Sequence, residues 1–146
     1  MLVAVAIAAV AIVMQTRGGE SRSIPWSDLT RELDPTRWPR QTISVIRSQE
    51  KLEALLRSAA LQPAPRAPDV DFSRRTAVLI AVGPRSSTGY RLRIRRVVER
   101  KGRIEVFARE TTPGPGRRVR AVLTFPYRLI TVPAGRTVRV HIEGCP

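Results

Sequence analysis

The sequence holds one cysteine and one histidine in 146 residues, and each scarcity removes a class of chemistry. Cys145 alone closes no internal disulfide and builds no thiolate metal cluster. His141 alone cannot supply a histidine-based metal site, and a Ser-His-Asp set would need Asp28, Asp34, Asp69 or Asp71 brought up to it. The twelve carboxylates are scattered, with no pair at a spacing suited to acid–base work. No catalytic, metal-ligating or cofactor-binding residue is therefore expected, and the chain is expected not to be an enzyme. Aromatic residues make up only 5%, which leaves little for a base-stacking platform. Lysine is nearly missing too: Lys51 and Lys101 are the only two, so 24 of the 26 cations are arginine.

What is present begins with charge. A formal +14 suits a nucleic acid, an anionic lipid or an acidic protein, or it records a surface on which arginine is simply the cation used. Length allows one domain and an appendage, and 42% apolar residues suffice for one core.

Residues 2–14 are thirteen in a row without a polar side chain, short of the roughly 20 that span a bilayer comfortably. Segment 1–16 reads as a signal peptide, with Ala9 and Ala11 as small residues for cleavage, or as an uncleaved membrane anchor. Either way the chain is expected to be exported to the cell envelope or beyond. If uncleaved, residues 2–16 attach it to the cytoplasmic membrane, and no cysteine follows the run to carry a lipid. Segment 17–40 reads as a tether containing Gly18, Gly19, Pro25, Pro35 and Pro39. Trp26 and Trp38 either dock that arm, meet a partner, or in the case of Trp26 sit at a membrane interface.

Residues 41–146 read as a β-rich domain. A short strand is expected at 42–46, then a helix capped by Ser48 with Leu52, Leu55, Leu56 and Ala59 on one stripe, acting as a lid on a sheet. Pro63, Pro65 and Pro68 forbid its continuation. Residues 76–82, TAVLIAV, are apolar at nearly every position, as in a central strand covered on both sides.

The most informative stretch is 86–116. Tyr90, Leu92 and Ile94 alternate with Arg91, Arg93 and Arg95, then Ile104, Val106 and Ala108 alternate with Glu105, Phe107 and Arg109. Period-two alternation on both sides of a tight turn predicts a hairpin with an arginine-studded face. Arg118 and Arg120 on a third run, 117–125, would join that face, on which Phe107 is the one aromatic. Without an aromatic platform nucleic acid is not expected; an anionic envelope polymer, lipid headgroups or an acidic protein patch fits better, and a solvated face guarding the sheet edge fits as well. Residues 127–132 are expected as an edge strand after Pro126, and 137–142 as the closing strand, with Val138, Val140 and Ile142 inward and Arg139 and His141 outward. The fold class expected is mainly β, bordering on α+β. It is a small antiparallel sandwich or partly open barrel of about six or seven strands with one packed helix, plus an N-terminal apolar helix.

A helix ending LEALLRSA, the strand FSRRTAVLIAVG, the STGYRLRIRRV loop and strand, TTPGPG and AVLTFPYRLITVP together resemble the PrcB C-terminal domain, the protease complex subunit family, over residues 43–142. Thr88-Gly89-Tyr90, Pro113-Gly114-Pro115-Gly116, the Pro126-Tyr127 pair and Val132-Pro133 carry the likeness most specifically. It implies an exported, non-catalytic accessory subunit that supports a secreted, subtilisin-type serine protease through protein contact. The first loop departs from the usual Gly-Gly-Tyr by reading Ser87-Thr88-Gly89-Tyr90, and the lipid-anchor cysteine of some members is absent. The same two loops are similar in kind and order to those of chagasin-type inhibitors of cysteine peptidases, which implies inhibition as a second reading. Set against both, Gly89 turning the chain and Tyr90 opening the inward face would explain the first loop structurally. The candidate partner-binding residues are thus Ser87, Thr88, Gly89, Tyr90, Pro113, Gly114, Pro115 and Gly116, with Arg91, Arg93 and Arg95 beside them.

Overall fold

The apolar run becomes β4 (Arg75–Val82), and its two faces lie in two different cores. Val78, Ile80 and Val82 point into one, Ala77, Leu79 and Ala81 into the other, and all six are buried. A strand covered on both sides loses the hydrophobic alternation of a half-buried one, which is why this segment reads as unbroken. The computed structural model describes residues 20–59 and 64–144. The other elements are β1 (Arg22–Ser23), β2 (Ser27–Asp28), β3 (Gln41–Ile46), α1 (Gln49–Ala59), β5 (Arg91–Arg100), β6 (Arg103–Thr111), β7 (Tyr127–Pro133) and β8 (Thr137–Glu143).

These strands make two four-stranded sheets, in the orders β1-β5-β6-β8 and β2-β7-β4-β3. Between them lies the first core, where Val78, Ile80, Ile130 and Val132 of one sheet meet Leu92, Val97, Ile104 and Val106 of the other. On the far side of the β4 sheet, Leu52 and Leu56 of α1 close the second core over Leu79 and Leu129. Each such aliphatic side chain contributes about 2 kcal/mol by leaving water. The helix starts where expected: the Lys51 amide donates to Ser48 Oγ at 3.3 Å, and α1 covers the sheet as a lid.

The hairpin expected at 86–116 is β5–β6, in register from Arg91↔Thr111 to Arg100↔Arg103. Lys101 and Gly102 form the two-residue turn with φ of 51° and 72°, the left-handed pair that matches the twist of the flanking strands. The ladder slips between Ile94 and Arg96, so Arg95 is an extra residue. This bulge keeps Arg96 on the outer face with Arg95, opposite Phe107, and returns Val97 to the core opposite Val106.

Several expectations need correction. The sandwich is not wholly antiparallel, because β8 runs parallel to β6, from Arg103↔Thr137 to Arg109↔Glu143. The chain leaves β6 for the other sheet, runs back along β7 and returns as β8; two reversals restore the original direction. Residues 127–132 do not form an edge strand: β7 lies between β4 and β2, with Pro126 just outside it. Residues 117–125 form no strand and contribute only the isolated bridge of Thr124 to Arg85. The described residues hold eight strands, two of them dipeptides, and no closed barrel. The apolar helix expected within 1–16, and Cys145, lie outside the described residues.

The arm read as a tether is packed down over its described part. β1 pairs with β5 at Arg22↔Glu99, β2 pairs with β7 at Ser27↔Thr131, and Ile24 enters the inter-sheet core. Trp38 is 0% exposed in the second core, and Trp26 packs against the first. Docking is thus what the structure shows for both tryptophans. Among the described residues, no helix is long and apolar enough to cross a membrane.

Candidate partner-binding surface

Two loops leave the same end of the sandwich and are bonded to one another. The first, 83–90, carries the chain from β4 to β5; the second, 112–126, carries it from β6 to β7. Arg85 and Thr124 exchange backbone hydrogen bonds of 2.8 and 2.9 Å. The Thr88 amide donates to the Arg120 carbonyl at 3.1 Å, the Arg120 amide to Thr88 Oγ1 at 3.0 Å, and Thr124 Oγ1 to the Ser87 carbonyl at 2.8 Å. Within 117–125 the backbone of Arg120 and Thr124 is thus bonded to the first loop instead of to a sheet. This explains how an alternating run stays out of the ladder.

Beneath the loops the Arg85 guanidinium holds Glu110 by two parallel bonds, Nε to Oε1 and Nη2 to Oε2, the latter 2.8 Å long. The Glu110 side chain is 2% exposed and Arg85 is half-buried. Gly89 lies in a turn, as the sequence suggested, but its φ is not positive, so the turn itself does not demand glycine. Its role is close approach: a Cβ there would run into the Pro113 ring and stand 2.7 Å from Val119 Cγ1. The Ser87–Tyr90 and Pro113–Gly116 candidates are thus brought together, with Gly89 packed on Pro113, Ser87 buried beneath, and Thr88, Gly114, Pro115 and Gly116 exposed. Tyr90 lies half-buried with Phe125 and Tyr127 along a groove of about 360 Å³ at the open side of the sandwich, where Arg128 Nε donates to the Leu92 carbonyl at 2.8 Å.

The loop pair exposes apolar surface that no motif pointed to. Leu123 is 69% exposed, Val122 49% and Val119 40%, set among Arg117, Arg118 and Arg120. Arg91, Arg93 and Arg95 do lie on one face, but Arg118 and Arg120 stay on the loop and do not join them there. Arg109 and Arg117 do, giving a concavity of about 390 Å³. Farther along that face Phe107 stacks on His141, with ring centroids 4.7 Å apart, and Arg96 lies 4.2 Å from the Phe107 centroid. Among the described residues, no three His, Cys, Asp or Glu side chains gather as a metal site would require.

Glu110 had a signal in the sequence, as it occupies the inward position that continues Ile104, Val106 and Ala108. A carboxylate there needs a buried partner. Nothing local marked Arg85 as that partner, because the pair joins residues 25 positions apart.

In class, this is a two-sheet β-sandwich whose β4–β5 and β6–β7 connections make one joint loop surface. Residues 76–133 match the family described as PrcB C-terminal, a stretch that runs from β4 to β7 and contains both loops. No curated protein and no solved structure matches the chain.

Proposed function

We propose that this protein is a non-catalytic accessory component of a protease complex, and that its joined loops are where it meets the partner. The carrying observation is the exposed Val119, Val122 and Leu123 on a loop whose backbone is held by the Ser87–Thr88 segment. Apolar side chains presented by a loop on a rigid scaffold are a contact surface, whereas a turn that merely reverses the chain keeps such residues inside. The PrcB C-terminal match supports the protease association. In this reading segment 1–16 exports the protein or anchors it in the cytoplasmic membrane, and the partner is a secreted serine protease.

The test is co-purification from envelope extract with the full chain as bait, alongside a Val122→Ser/Leu123→Ser variant. A protease should be enriched by the parent and lost with the variant. Enrichment of no protease, or equal capture by both baits, refutes the proposal.

A further inference from the structure

The arginine face carries a second inference, independent of the loop surface. Arg91, Arg93 and Arg95 from β5, Arg109 and Thr111 from β6, and Arg117 from the second loop surround one concavity of about 390 Å³. Arg93 and Arg109 are direct cross-strand partners. Like charges in that position lie about 5 Å apart at Cβ and destabilise the pair. That separation is within the Debye length of about 8 Å at physiological salt, so bulk ions screen the repulsion only in part.

Five arginines elsewhere have carboxylate partners, while others, such as Arg31, Arg103 and Arg118, form no ion pair among the described residues. Arg85 is matched to Glu110, Arg128 to Asp28, Arg57 to Glu53, and Arg22 and Arg136 share Glu99. Among the described residues none of the five cup arginines has an ion pair, and Glu143, in register with Arg109, does not form one. The bulge sharpens the clustering, because the extra residue it inserts is Arg95, which stays on the cup side while Arg96 turns to Phe107. What sets these five apart from the other unmatched arginines is that they converge on one hollow.

We infer that this cup binds phosphate oxyanions. A planar carboxylate engages one guanidinium fork, whereas a tetrahedral phosphate directs its non-bridging oxygens, two in a diester and three at a chain end, to several sides at once. Guanidinium groups arriving from two strands and a loop can therefore bridge through it. The phosphate comes either from a soluble or polymeric phosphate chain or from phospholipid headgroups.

The full chain is titrated with sodium tripolyphosphate and, separately, with polyglutamate, by calorimetry at physiological salt. Arg93→Gln/Arg109→Gln is compared with Arg100→Gln/Arg103→Gln, which removes the same net charge at the hairpin turn. Tripolyphosphate should bind the parent and the turn variant alike, and the cup variant at least about tenfold more weakly, two charge-assisted contacts having been lost. Equal weakening in both variants, no binding by the parent, or equal affinity for polyglutamate overturns the inference. Co-sedimentation with phosphatidylglycerol vesicles, taken relative to phosphatidylcholine vesicles, then identifies the source. Sedimentation lost in the cup variant assigns lipid headgroups, and its absence beside retained tripolyphosphate binding assigns phosphate chains.

Discussion

Arg85 grips Glu110 through a two-pronged ion pair whose carboxylate is almost wholly out of water, and this pair ties the first loop to the end of β6. Removing one member strands the other. Arg85→Ala should therefore cost about 3 kcal/mol, the penalty of an uncompensated buried charge. Arg85→Met/Glu110→Leu should recover much of that loss. Urea denaturation of the three proteins checks this, and a double variant as unstable as the single one would show that the pair is not what holds the site.

Gly89 predicts a different failure. Gly89→Ala places a methyl against Pro113 and Val119, so one loop must move off the other. An overpacked contact of this kind costs about 1–3 kcal/mol. Its local signature is separable from the global one: trypsin should cut at Arg117, Arg118 or Arg120 faster than in the parent under native conditions. Unchanged cleavage would mean that the loops are not held together there.

Trp38 tests how firmly the arm belongs to the domain. Its side chain is fully buried, and its indole Nε1 has no hydrogen-bond partner among the described residues. Trp38→Ala should cost about 3–5 kcal/mol as a large cavity opens over Leu79 and Leu129. Trp38→Phe should cost much less, since it removes an unsatisfied donor along with some packing. Thermal denaturation distinguishes the two, and similar stability for parent and alanine variant would detach the arm from the core.

These elements also show where the sequence was legible. β4, α1 and the β5–β6 hairpin follow from local signals: an unbroken apolar run, a Ser cap before a 3.6-residue stripe, and alternation about Lys101-Gly102. The parallel β6–β8 pairing, the interior place of β7 and the loop at 117–125 depend on which sheet each segment joins, and residue alternation is silent on that. Val119, Ala121 and Leu123 alternate as a strand would, yet all three stay exposed. The two candidate loops were legible as motifs. Their contact through Gly89 and Pro113 was not, since it joins distant stretches of chain.

Tyr127 gives the fold a dependence on alkaline pH. Burial pushes its phenol above the ordinary tyrosine value, against smaller opposing effects from its hydrogen bonding to Thr36 and the charge of Arg128. The unfolded chain then releases this proton first, so stability is unaffected below about pH 10 and falls as pH rises through and above it. Tyr127→Phe should flatten that part of the stability profile relative to the parent. Identical slopes for the two proteins above about pH 10 would assign the dependence to other groups.

The Arg96, Phe107 and His141 stack carries one unsatisfied atom, and the last prediction turns on it. Phe107 on β6 is flanked by Arg96 of β5 and by His141 of β8, with the two rings inclined by 12°. His141 Nε2 is buried without a hydrogen-bond partner among the described residues. The ring therefore stabilises by stacking while its nitrogen destabilises by desolvation. His141→Phe keeps the first effect and removes the second, so it should leave stability unchanged or raise it by about 1 kcal/mol. His141→Ala loses the stack and should cost about 1 kcal/mol. Guanidinium denaturation of both variants decides it. If phenylalanine proves as damaging as alanine, the imidazole nitrogen makes an interaction that stacking cannot replace, and the face holds a polar role for His141.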